Sequence, residues 1–152
     1  MGKNFFIDLI KKYFEYLFEE YEFEIKEAVF DKESYGNSLI LIESEHLRFK
    51  VINERGQIYI DVGSCIEDVW FDLNVIINYI NRSIEGLWEY DYFEDSTDLE
   101  EKISKQLKNV SETIKSHYDS IQKLFRKENY MDTKNKIEPF EKELFQKRWN
   151  TI

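Results

Sequence analysis

The apolar positions of this chain change period several times, and each change marks an element. Phe6, Ile10, Tyr13, Phe14, Leu17 and Tyr21 recur at helical steps, which predicts a helix from Asn4 to Glu20 with Asn4 as N-cap. The period then falls to two. Phe23, Ile25 and Val29 alternate with Glu24 and Lys26, and Leu39-Ile40-Leu41-Ile42 follows a turn containing Gly36-Asn37. Leu47, Phe49 and Val51 alternate with Arg48 and Lys50. After Arg55-Gly56, Ile58, Ile60 and Val62 alternate with Tyr59 and Asp61. Four period-two segments joined by short polar turns predict an antiparallel meander, apolar on one face and charged on the other. Leu47, Phe49, Val51, Ile58 and Ile60 are expected to be buried together, with Arg48 and Lys50 facing Tyr59 and Asp61 on the exposed side.

Helical spacing returns at Asp72, a candidate cap for a helix through Arg82 with Leu73, Ile76, Ile77, Ile80 and Ile84 on one face. This helix and the first are the expected cover for the apolar sheet face. Thr97 and Glu100 then stand in capping-box spacing. Beyond them Ile103, Leu107, Val110, Ile114, His117, Ile121 and Leu124 step by 4-3-4-3-4-3, a heptad seam on a helix of about 30 residues. Asn129 is the expected stop, and Pro139 suits the first turn of a last helix ending near Trp149. The seam closes either on that last helix, with His117 against Leu144 or Trp149, or on a second copy of the chain. The predicted fold is α+β: a four-stranded antiparallel sheet backed by two helices, followed by a C-terminal helical hairpin. Residues 1–96 form the sheet section and 97–152 a helical section packed on it, one domain in all.

Composition fits a globular chain of 152 residues with 42% hydrophobic and 34% charged content. Charge changes the picture more. Residues 1–96 carry 21 acids against 9 basic residues, a net of −12, and residues 97–152 carry 10 against 12, a net of +2, so the chain's excess of acid resides in the sheet section. Such a surface repels nucleic acid and anionic membranes and favours a basic partner. The acidic section ends in a dense run in which Trp88, Tyr90, Tyr92 and Phe93 are flanked by Glu89, Asp91, Glu94 and Asp95. Those aromatics are too close together to share one helix face, so some are expected outside as interface anchors, with the carboxylates selecting a Lys/Arg-rich partner. The candidate partner-binding residues are therefore Trp88, Glu89, Tyr90, Asp91, Tyr92, Glu94 and Asp95.

Catalytic chemistry finds little material. With one cysteine, Cys65, no internal disulfide forms, which fits a reducing, cytoplasmic compartment. Charges at Asp8, Lys11, Lys12 and Glu15 interrupt the first apolar residues, so no signal peptide is expected, and no stretch reads as a membrane span. Glu43, Glu45 and His46 fall in a hairpin turn where solvated charge is expected rather than a metal site. Asp91, Glu94 and Asp95 lack the spacing of a calcium loop. Glu24-Ile25-Lys26 matches half of a metal-dependent nuclease motif, but the upstream acid, Asp8, lies on the first helix and the surface is acidic. His46, His117 and Cys65 sit in separate elements, so no cleft is expected to gather two of them beside a carboxylate. No enzyme activity, metal or cofactor is expected.

Residues 1–88 resemble small acidic α+β immunity proteins of bacterial polymorphic toxin systems. The likeness lies in the aromatic first helix, the Tyr21-Glu22-Phe23 entry into the sheet, and Trp70-Phe71-Asp72-Leu73 opening the next helix. It implies a protein that binds and blocks one cognate toxin, often a nuclease, without catalysis of its own. The function expected is thus a non-catalytic inhibitor occluding a basic partner, monomeric in preference to a homodimer through the 97–128 helix. The alternatives are a phage- or mobile-element-encoded acidic DNA mimic that blocks a DNA-binding host protein, a dimeric assembly adaptor, and an unrecognised hydrolase.

Overall fold

In the computed structural model residues 3–31, 37–82 and 98–150 are described, those at 3, 4 and 148–150 by backbone only. The first apolar stripe folds as two helices, α1 (Lys3–Tyr13) and α2 (Glu15–Glu20), separated at Phe14, whose φ and ψ of −104° and 19° leave the helical region. The helix begins before Asn4, which therefore does not cap it. Five strands follow: β1 (Glu24–Asp31), β2 (Asn37–Glu43), β3 (Leu47–Glu54), β4 (Gln57–Ser64) and β5 (Trp70–Asp72). They form one antiparallel sheet in the order β1-β2-β3-β4-β5. The fifth strand corrects the four-stranded expectation. It is three residues long and is recruited by pairing Phe71 with Val62 and Trp70 with Gly63.

Register explains which face is buried. Leu47, Phe49, Val51, Ile58 and Ile60 are all buried with Ile40, Ile42 and Val62, as the alternation requires. The β3–β4 hairpin closes through Arg55 and Gly56 at φ of 54° and 83°, a two-residue turn of the type that matches strand twist. The φ of Gly56 strains any side chain, and an added Cβ would also force the Leu99 methyl to shift. The first strand departs from simple alternation. A bulge between Ile25 and Glu27 inserts Lys26 and reverses the facing of all that follows. Val29, expected inside, is turned out and 48% exposed, while Ala28 and Phe30 pack against the core.

Asp72 caps α3 (Leu73–Ile80), its carboxylate accepting from the Asn74 amide at 2.7 Å. The long helix α4 (Leu99–Phe125) is capped by Asp98, one residue beyond the expected Thr97, with its carboxylate accepting from the amides of Glu100 and Glu101. Its buried stripe runs Ile103, Leu107, Val110, Ile114, Tyr118, Ile121 and Phe125. Those steps are 4-3-4-4-3-4, the drift of a straight α-helix rather than the strict repeat of a coiled coil. His117 and Leu124 are accordingly only half-buried, displaced from the seam by Tyr118 and Phe125. The Nδ1 of His117 lies 2.8 Å from the Thr113 carbonyl, and the side chain of Trp149 lies outside the described residues.

The stripe packs on β3 and β4 and against α1, so α4 joins the sheet cover assigned to the first helix. Polar contacts fix it there. Gln106, buried, donates to the Gly56 carbonyl at 2.7 Å and accepts from the Ile58 amide at 3.1 Å, stitching α4 to the hairpin. Tyr13 shares a hydrogen bond with Ser104, Tyr16 donates to the Ser111 carbonyl, and Tyr21 stacks on Tyr118. The last helix, α5 (Lys127–Asn150), starts two residues after α4 ends and runs through Pro139. Asn129 is thus inside α5, and Pro139 is at its middle rather than its first turn. Burial of Tyr130, Thr133 and Ile137 ahead of the proline and Leu144 beyond it offsets a cost of about 3 kcal/mol. The architecture is α+β, an antiparallel sheet with a C-terminal helical pair, and sheet and helices share one core. Among the described residues no helix is long and apolar enough to cross a membrane.

Candidate functional site

Helices take one face of the sheet; on the other, every described position except Gly63 retains exposure. The register lays this open face out in rows across the strands. Val29, Leu39, Ile52 and Tyr59 form an unbroken apolar row over β1 to β4, with Tyr59 39% exposed. Next to it run Glu27, Leu41, Lys50, Asp61 and Asp72, and then Glu43, Arg48, Gly63 and Trp70. An open antiparallel face is normally polar, so a continuous aliphatic and aromatic row is informative.

Trp70 is held firmly on this face. Gly63 beneath it leaves room for the indole: an added Cβ would lie 3.1 Å from the ring. The Arg48 guanidinium sits 4.4 Å and the Lys50 ammonium 4.1 Å from the ring centroid, within cation–π range. Arg48 is fixed in turn by donating to the carbonyls of Ser64 and Glu67 at 2.9 and 2.8 Å. Lys50 stands opposite Asp61, as expected, whereas Arg48 faces Gly63 and Tyr59 faces Ile52. Burial holds the Asp61 carboxyl above its ordinary range, with Asp72 adding to the effect and Lys50 opposing it. Trp, Tyr and Arg together on a rigid sheet are the side chains that most often anchor protein interfaces.

The seven residues expected to bind a partner, Trp88, Glu89, Tyr90, Asp91, Tyr92, Glu94 and Asp95, lie outside the described residues. The open face was missed as a site because its apolar members read as strand-formers. A signal was present: the unbroken run Leu39-Ile40-Leu41-Ile42 leaves apolar side chains on both faces of one strand.

One expectation about chemistry is overturned. Leu47 pairs with Ser64, which brings the β2–β3 turn beside the end of β4. Glu45, His46, Ser64, Cys65, Ile66 and Lys127 consequently line one cleft of about 400 Å³. His46 and Cys65 therefore do meet beside a carboxylate, with Nε2 of His46 3.7 Å from Glu45. The thiol is not activated there. It donates to the Ser44 carbonyl at 3.3 Å, and burial with the nearby Glu43 charge raises it above its ordinary range. No hydrogen bond joins Cys65 to His46. Glu24 and Lys26 of the nuclease-like tripeptide pair with each other at 3.0 Å in solvent. Among the described residues no three His, Cys, Asp or Glu side chains converge as a metal-holding group. A larger cavity of about 720 Å³ opens between α3, α4 and α5, walled by Tyr79, Phe140 and Lys123, with its Lys136 paired to Asp132 at 2.9 Å.

Comparisons with family models, curated proteins and solved structures give no match to this chain.

Proposed function

We propose that this chain is a non-catalytic protein-binding inhibitor, immunity-like, that occludes a basic partner such as a nuclease toxin in the cytoplasm. The observation that carries the reading is the open sheet face, where an apolar row lies beside Trp70 and its two flanking cations. A face of that composition gains by excluding water against another protein. Net charge supplies the partner's sign. A chain of −10, with its excess acids in residues 1–96, draws a cationic protein and speeds its encounter. Two alternatives receive less support. The open face mixes Arg48 and Lys50 among its acids instead of presenting a continuous line of carboxylates, as a DNA mimic needs. The adaptor reading relied on a free heptad seam, and that stripe is buried within the chain.

The test is to purify the product of the neighbouring gene and titrate its activity with this chain. Stoichiometric loss of that activity is expected, with association slowed by salt. The reading fails if the activity is untouched, or if a double Ile52→Ser, Trp70→Ala variant inhibits as well as the parent. Catalysis is tested separately by alkylation of Cys65. Its rate should rise only above the ordinary thiol range of about 8.5, and rapid reaction at neutral pH would reopen the enzyme reading.

A further inference from the structure

A second concave surface lies at the opposite edge of the sheet from Trp70. Between α2 and β1 runs a groove of about 580 Å³ lined by Lys11, Glu15, Phe18, Glu19, Glu24 and Ile25. Phe18 and Ile25 are partly buried against the core and give the groove an apolar floor. Its rim is mainly carboxylate. Glu15 and Glu19 are one helical turn apart and their charges are so close that Glu19 is held above the ordinary carboxyl range, with Glu20 adding to the repulsion. Among the described residues Lys11 is the one cation lining the rim, and Lys26 is already paired with Glu24. The groove's other wall is a sheet edge. Among the described residues β1 pairs with β2 alone, and no strand lies on its far side.

We infer that this groove receives an extended segment of the partner in which Lys or Arg alternates with apolar residues, laid along the edge of β1. Three features select that occupant together. Beside α2, residues 24–27 of β1 pair with no second described strand and can take an extended chain, the floor takes its apolar side chains, and the carboxylates take its basic ones. A second copy of this chain is disfavoured, since its own β1 would bring Glu24 and Glu27 against the same acids. The inference rests on the reading of a basic protein partner and names the part of it that is grasped.

The experiment uses the full chain and a short synthetic peptide alternating Lys and Val. Its controls are a Glu-for-Lys peptide and a Lys-Val peptide N-methylated at alternate amides, all followed by amide chemical shifts and fluorescence anisotropy. Saturable binding is expected for the cationic peptide, with shifts concentrated in residues 15–27. Binding should fall roughly tenfold in a Glu15→Gln, Glu19→Gln double variant, since exposed rim charges guide and hold the ligand. The N-methylated and Glu peptides should not bind. Shifts scattered over the whole acidic surface, equal binding by the N-methylated peptide, or no saturation would each overturn the groove. The two proposals separate on the natural partner. Undiminished inhibition by the Glu15→Gln, Glu19→Gln variant overturns the groove alone, whereas undiminished inhibition by the Ile52→Ser, Trp70→Ala variant overturns the reading of the open face.

Discussion

Phe49 and Ile52 lie three residues apart on the same strand and serve opposite purposes. Phe49 is fully buried, ringed by the core and stacked on Phe23 at a centroid distance of 5.7 Å. Ile52 lies on the other face in a row with Val29 and Leu39, partly open to solvent. Burial on the first face stabilises the fold. On the second, the apolar area is left unburied in the isolated chain, and burying it is what a partner would gain. The two faces of one sheet thus divide folding from recognition, and that division can be broken or sharpened by substitution.

The largest effect should come from the inner face. Phe49→Ala is expected to cost about 3–5 kcal/mol of stability, while Ile52→Ala should cost clearly less because its side chain is only partly buried. Chemical denaturation of both variants measures the gap, and equal losses would erase the distinction between the faces. Next is the stitch between helix and hairpin. Gln106→Leu removes the partners of the Gly56 carbonyl and the Ile58 amide and is expected to cost about 1–3 kcal/mol, although it adds apolar surface. A stabilised Gln106→Leu protein would show that α4 is held by packing alone. Asp98→Ala, which uncaps the same helix at its exposed end, should cost about 1 kcal/mol.

The smallest effects are those of pH, and they run in opposite directions on two carboxylates. Lys134 and Tyr130 both donate to Glu67, at 2.8 and 2.6 Å, and hold its carboxyl below the ordinary value. Its contribution is therefore complete above the ordinary pKa of about 4 and is lost as pH falls through the lowered folded value. Glu67→Gln should flatten the acid limb of a plot of stability against pH. Asp61 is raised by burial, so its contribution is present below its ordinary pKa and lost as pH rises through the folded value. Asp61→Asn should remove that loss and be at least as stable as the parent at neutral pH. Denaturation midpoints across the acid range check both signs.

The core was legible in the sequence where side-chain parity alone decides burial. Phe49, Val51, Ile58 and Ile60 fall where their alternation puts them, because a one-residue slip would expose all of them at once. Val29 was misplaced because a bulge leaves no periodic mark: Lys26 looks like any exposed residue. Strand β5 escaped because three residues are too few to display a period. The choice between His117 and Tyr118 turned on helical drift of a fraction of a residue per turn, which a heptad template rounds the wrong way. Gln106 gave no signal in the sequence, since its partners are backbone groups of a hairpin distant in sequence. The acid-aromatic residues 88–95 remain a sequence expectation, while the open face emerged only when register aligned Val29, Leu39 and Ile52 in one row.

Amide hydrogen exchange on the purified partner complex tests the central claim most directly. The account predicts new protection in β2 and β3, around Leu39, Leu41 and Ile52, and affinity lowered by about 2 kcal/mol or more in Trp70→Ala with the fold retained. Protection confined to α4 and α5, with Trp70→Ala binding like the parent, would contradict it.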